Sequence, residues 1–184
     1  QQRAWIDAAD LVDEKWDAAE AQAAAVARHW KFLLNDSTGE IALGQNTHEL
    51  VTRLLSALPI PTRPRLVTTD GEFHSIRRQL DRLEEEGLEI VRVPARPVDA
   101  LAERLAEAVT DRTACVLVSS VLYETAEIVP GLDRVAARCE AAGVTLLVDA
   151  YHHVNVVPFD IGLLGLERAF VTGGGYKYCQ LGEG

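Results

Sequence analysis

Methionine is absent from the 184-residue sequence, and cysteine occurs only three times, at Cys115, Cys139 and Cys179. Three widely separated cysteines form neither a disulfide framework nor a CxxC metal pattern, so a reducing, cytoplasmic setting is expected. Long apolar runs are also lacking. Stretches such as Ala114 to Val118 and Ala23 to Ala27 fall far short of the roughly 20 residues that cross a bilayer, which excludes a membrane helix as the reading of this chain. Positive charge is scarce: Lys plus Arg number 18 against 28 Asp plus Glu. The net charge of −10 opposes the counterion release that drives general binding to nucleic acid. The start, Gln1-Gln2-Arg3, has neither signal-peptide nor transit-peptide character, and the chain stops at Gly182-Glu183-Gly184, directly after its most reactive segment. A piece of a longer protein is expected.

What is present is ordinary globular composition, 48% hydrophobic and 25% charged. Residues 4–34 are rich in Ala, Glu, Asp and Leu, with Trp5, Ile6, Ala9, Trp16, Ala19, Ala23, Val26 and Trp30 near helical spacing. That predicts one long helix or two joined helices. After the break at Asn35 to Gly39 the pattern alternates. Strands are expected at 40–44, 65–69, 88–93, 113–119, 144–148 and 167–172, and helices at 47–58, 73–86, 98–109 and 131–142. Runs such as Ala114-Cys115-Val116-Leu117-Val118 are nearly continuous in apolar residues, as strands covered on both faces must be. The expected fold is α/β, a doubly wound and mostly parallel sheet (residues 40–184) preceded by a helical arm (residues 1–39).

In an open parallel sheet, ligands bind beyond the carboxyl ends of the strands. Four such places stand out. In Gly44-Gln45-Asn46-Thr47-His48-Glu49, Asn46 has N-cap character with Glu49 three residues on, and the free N–H groups of that first turn with the Thr47 hydroxyl suit a phosphate. The bland reading is an ordinary helix cap. In Glu72-Phe73-His74-Ser75, Phe73 suits stacking on a flat ring, or a core contact. In Asp149-Ala150-Tyr151-His152-His153, a carboxylate at the end of a buried strand costs desolvation unless it meets a cation or donor. No metal is expected there, because His152 and His153 are adjacent rather than four apart and no Cys is near in sequence. In Thr172-Gly173-Gly174-Gly175-Tyr176-Lys177-Tyr178, three glycines let the backbone approach a ligand closely and place Lys177 at the sheet edge. A Lys in a partly enclosed, apolar or cationic setting loses proton affinity and can form a Schiff base; the bland reading is a solvated surface Lys.

The order of these segments resembles the large domain of fold-type I pyridoxal 5'-phosphate (PLP) enzymes, and within them the class V aminotransferase group. Gly175-Tyr176-Lys177-Tyr178 with Gly182 is similar to the Tyr-Lys-Tyr segment of kynureninases, and Ser120-Val121-Leu122-Tyr123-Glu124-Thr125 is similar to their Val-x-Tyr-x-Thr stretch. The resemblance implies PLP held on Lys177 as an internal aldimine, with Lys177 then acting as the base for the α-proton. It implies Asp149 at the pyridinium nitrogen, Phe73 stacked on the ring, His152 near the phenolic oxygen or substrate, and Asn46, Thr47 and Tyr176 at the phosphate. It further implies a small-molecule amino-acid substrate, a homodimer, and kynureninase-like hydrolysis of a C–C bond. Class V transamination and cysteine-type C–S lysis are alternatives, as is a non-catalytic pseudoenzyme. Ile76, Glu124 and Ala126 depart from the kynureninase pattern. A nucleotide-binding Rossmann protein fits the alternation but lacks the Gly-rich turn after the first strand.

Overall fold

The computed structural model describes residues 2–180; Gly182, which takes part in the resemblance, lies outside them. Two helices come first, α1 (Gln2–Asp10) and α2 (Glu14–Leu33). The helical stretch is therefore two joined helices, interrupted at 11–13, where β-branched Val12 and Asp13 disfavour helix. Trp5 and Trp16 stand largely exposed on this arm, whereas Trp30 packs on the main core.

The body alternates as expected, with α3 (Thr47–Ser56), β1 (Arg65–Thr69), α4 (His74–Glu85), β2 (Glu89–Val93), α5 (Leu101–Ala108), β3 (Thr113–Ser119), α6 (Leu132–Ala142), β4 (Thr145–Asp149) and β5 (Phe170–Thr172). The five strands pair in parallel in the order β2-β1-β3-β4-β5. A 3-10 turn, Val98–Ala100, precedes α5, so the helix expected from 98 begins three residues later.

Two expectations are corrected. The strand over 40–44 does not form: among the described residues no strand offers this segment a hydrogen-bond ladder, and only Ile41 leans on the core. The strand expected from 167 is reduced to three residues, because 162–169 are mostly turn anchored by buried Leu166.

Strand parity decides what faces what. Val67, Val116, Val118, Leu146 and Val148 pack in one core with Leu101, Leu105, Leu132 and Val135 of α5 and α6. Leu66, Cys115, Leu117 and Leu147 pack in the other with Val51, Leu55, Ile76 and Leu80 of α3 and α4. Because successive side chains alternate, Ser119 follows the parity of Leu117 and Asp149 that of Leu147. Both turn toward the face carrying α3 and α4. Thr172 is in register with Asp149, and Ser119 with Asp149 on the other side, so three polar residues line one edge of the sheet. The chain winds from β1 outward to β2, then returns past β1 to β3. The reversal opens a crevice beyond the carboxyl ends of β1 and β3.

Candidate active site

Three chain segments converge at that crevice. The turn after β1 brings Phe73, the N-cap residue of α4. The segment after β4 brings Tyr151 and His152, and the glycine-rich turn after β5 brings Lys177. Lys177 Nζ lies 2.8 Å from His152 Nε2. It also sits 4.7 Å from the centroid of the Phe73 ring and 5.3 Å from that of Tyr151, within cation–π range. Phe73 meets His152 and Tyr123 edge-on, with centroids 5.6 and 5.3 Å apart. Gly174 is required here: its Cα faces the Tyr151 ring so closely that a Cβ would overlap it.

Asp149 is buried at the end of β4, where one carboxylate oxygen accepts from the Tyr151 N–H at 2.8 Å. Burial pushes its carboxyl up to about 6, opposed by that N–H and by the positive charge of Lys177. The His152 imidazole is held below its usual value, first by burial and then by Lys177. It is thus neutral at pH 7, with Nε2 free to accept from the Lys177 amino group. Beside Asp149 on β5, the buried Thr172 hydroxyl has no hydrogen-bond partner among the described residues. Residues 2–180 contain no group of three or more His, Cys, Asp or Glu placed to hold a metal, and no helix long and apolar enough to cross a membrane.

The remaining expected residues are placed differently. Asn46 caps α3, accepting from the Glu49 N–H at 2.9 Å, while Glu49 reaches back to the Gln45 N–H at 2.8 Å and to Arg53. The cap is thus self-satisfied and carries its own carboxylate. Thr47 is buried on the first turn, and α3 lies against β5. Among the described residues no hydrogen bond joins Asn46 or Thr47 to the Lys177 cluster. The Tyr176 side chain is half exposed.

Sequence reasoning singled out Phe73 and passed over its neighbour Glu72. The Glu72 carboxyl is fully buried, accepts from Ser119 Oγ at 2.6 Å, Thr69 Oγ1 at 2.7 Å and the Ser119 N–H at 3.2 Å, and is pushed up to about 7, mainly by burial. Glu72 stands three residues past the end of β1, and nothing local in the sequence marks Thr69 and Ser119 as its partners.

A buried carboxyl, an amine beside an imidazole and an aromatic face thus meet at the switch point of the sheet, and the comparisons bear on the fold that brings them there. No protein-family model matches the chain. The solved structure of the cystine C–S lyase C-DES in complex with its reaction product, cysteine persulfide, superposes with a TM-score of 0.80 at 19% identity, over 96% of this chain and 49% of C-DES. A C-DES mutant with glycine covalently linked to its PLP cofactor superposes at 0.78 and 19% identity, over 95% of this chain and 47% of that one. The fold is therefore the α/β fold of the fold-type I enzymes. The cysteine desulfurase IscS of Rickettsia akari (strain Hartford) is 28% identical over 109 residues, 59% of this chain and 26% of the relative. The chain spans about half the length of the C-DES structures and about a quarter of IscS.

Proposed function

We propose that this chain binds PLP in the crevice and carries the cofactor site of an enzyme that acts on an amino acid, cleaving a cysteine-type C–S bond. The observation that carries this reading is the Lys177 amine, 2.8 Å from a neutral His152 and 4.7 Å over Phe73, in a crevice edged by the buried Asp149. The residues fit the cofactor. Asp149 has one oxygen bonded to the Tyr151 N–H, and the adjacent buried Thr172 hydroxyl has no partner among the described residues. Both are placed to meet polar atoms of a ligand.

When bound, PLP supplies an electron-accepting ring that takes up negative charge from the substrate α-carbon. Lys177 would hold the cofactor covalently and, once freed, take the proton from the α-carbon. Asp149 would hold a positive charge on the ring nitrogen, Phe73 would offer its face to the ring, and His152 would orient the Lys177 amine through Nε2. Cys115 and Cys139 take no part: both are buried, and burial pushes their thiols up.

The C–S specificity is supported by the relatives, a cystine C–S lyase and a cysteine desulfurase. Kynureninase-like hydrolysis rests on the Gly175-Tyr176-Lys177-Tyr178 segment and the Ser120-Val121-Leu122-Tyr123-Glu124-Thr125 stretch, and has no counterpart among them. The homodimer belongs to the same proposal and is supported only by resemblance.

The test is the visible absorbance of the purified chain with PLP, before and after borohydride, followed by peptide mapping, then cysteine persulfide formed from cystine, read as the sulfide that a thiol reductant added after quenching releases from it, compared with turnover of kynurenine. A reducible label on Lys177 and sulfide from cystine are expected. A folded chain with no label on Lys177 overturns the cofactor reading; turnover of kynurenine without sulfide release overturns the C–S reading.

A further inference from the structure

Glu72 is a costly residue that the site as described does not use. Its carboxyl is buried beneath the crevice, where an ionised group loses its hydration. The negative charge of Asp149 adds a smaller share to that cost. A buried carboxyl is weak as a stabilising device, since apolar residues of the same size usually serve stability as well or better. Its retention needs another reason, and the geometry supplies one.

The turn from β1 into α4 has to deliver Phe73 to a defined place over Lys177, yet the helix start lacks the usual means of fixing it. Phe73 is the N-cap residue and has no side-chain acceptor for the free N–H groups of the first turn. The turn is instead tied from its flanks. The Asp70 carboxylate accepts from the Ala95 N–H at 2.7 Å, anchoring the turn to the segment after β2. The Gly71 N–H donates to Thr69 Oγ1 at 3.2 Å, and that hydroxyl donates onward to Glu72 at 2.7 Å. Glu72 then crosses to the end of β3, accepting from both the N–H and the Oγ of Ser119. Ser119 is in register with Asp149. One buried carboxyl thus connects the residue preceding Phe73 to the strand that flanks Asp149.

We infer that Glu72 is a positioning residue for the cofactor site: by bonding Thr69 and Ser119 it sets the distance between the Phe73 ring on one side and the Asp149–Lys177 side of the crevice on the other. This rests on the proposed PLP reading and deepens it. The alternative, a purely structural clamp, predicts that loss of Glu72 lowers stability and leaves the folded site intact. A positioning role predicts a folded site that holds the cofactor less well, beyond whatever the unpaired Ser119 and Thr69 donors cost in stability.

The experiment measures PLP affinity of the chain by absorbance, and thermal unfolding of the PLP-free chain, for wild type, Glu72→Met, Glu72→Gln and Ser119→Ala. Met matches the length of Glu without its acceptors. Gln keeps an oxygen for the Ser119 N–H and the Thr69 hydroxyl and turns its NH2 toward Ser119 Oγ, so it serves as the rescue variant. Glu72→Met and Ser119→Ala are expected to weaken PLP binding about ten-fold, the scale of one charge-assisted hydrogen bond, in chains that remain folded at the assay temperature. Glu72→Gln is expected within about three-fold of wild type, the loss of only the charge component of those bonds. Unchanged PLP affinity in Glu72→Met and Ser119→Ala overturns the inference while leaving the proposed function standing. Affinity that falls only in step with Tm across all three variants makes Glu72 a structural residue and also overturns it. Failure of wild type to bind PLP overturns the proposed function and this inference with it.

Discussion

Asp149→Asn separates what the carboxylate does for the site from what it costs the fold. Asn is nearly isosteric, and its Oδ1 still accepts from the Tyr151 N–H, so the segment after β4 keeps its geometry. In the folded wild type, burial raises the Asp149 carboxyl from 3.8 to about 6. Below 3.8 the group is protonated in both folded and unfolded chains, and the mutation changes no electrostatic balance. Between 3.8 and about 6 the unfolded chain releases the proton that the folded chain retains, so folded stability falls as pH rises. Above about 6 the full cost is present. A shift of about 2 units at 1.36 kcal/mol each corresponds to roughly 3 kcal/mol. Urea unfolding of the PLP-free chain, run at intervals from pH 4 to pH 8, is therefore expected to show Asp149→Asn gaining stability over wild type by roughly 3 kcal/mol at pH 8 and by little at pH 4. The same variant is expected to lose PLP-dependent activity, because a neutral amide does not keep the ring nitrogen charged. Equal stability of the two proteins at pH 8, or a difference independent of pH, refutes the buried-charge account.

Two further outcomes are expected. The His152 imidazole, lowered by burial and the Lys177 charge, should titrate below the usual histidine value of 6.5 when followed by NMR; in Lys177→Ala its midpoint should rise, and an unchanged midpoint would show that Lys177 does not act on it. Gly174→Ala places a methyl group against the Tyr151 ring; a loss of about 1–3 kcal/mol in unfolding experiments is expected, and an unchanged Tm would show that Tyr151 moves aside freely.

Most strands were legible because a parallel strand buried on both faces must be apolar along its whole length. Residues 113–119 and 144–148 meet that demand, and the structure forms β3 over Thr113–Ser119 and β4 over Thr145–Asp149. Residues 40–44 were misread because alternation and a flanking glycine describe a strand only if a neighbour supplies the other half of its ladder, which local sequence does not encode. The 98–109 segment was placed correctly as a helix, but its 3-10 first turn depends on local hydrogen bonding too subtle for periodicity. Within the candidate site, Asp149, His152, Lys177 and Phe73 were legible because each follows a strand end. Asn46 was legible as a cap, and the structure pairs its side chain with the Glu49 N–H and the Glu49 carboxylate with the Gln45 N–H. Glu72 was illegible, because its partners Ser119 and Thr69 come together only when β1 and β3 become neighbours.

The sequence by itself determined the alternation of strands and helices and the positions of the polar residues that end them. Those follow from local burial patterns, with a period of two in strands and 3.6 in helices. Tertiary structure alone decided the strand order β2-β1-β3-β4-β5, and through it which strand ends share a crevice. It also decided that Lys177 meets His152 across 25 residues and that Glu72 meets Ser119 across 47. The physical reason is that burial and hydrogen bonding between distant residues depend on strand pairing, and the desolvation that shifts Asp149 and Glu72 exists only once the sheet and both helix layers have closed around them.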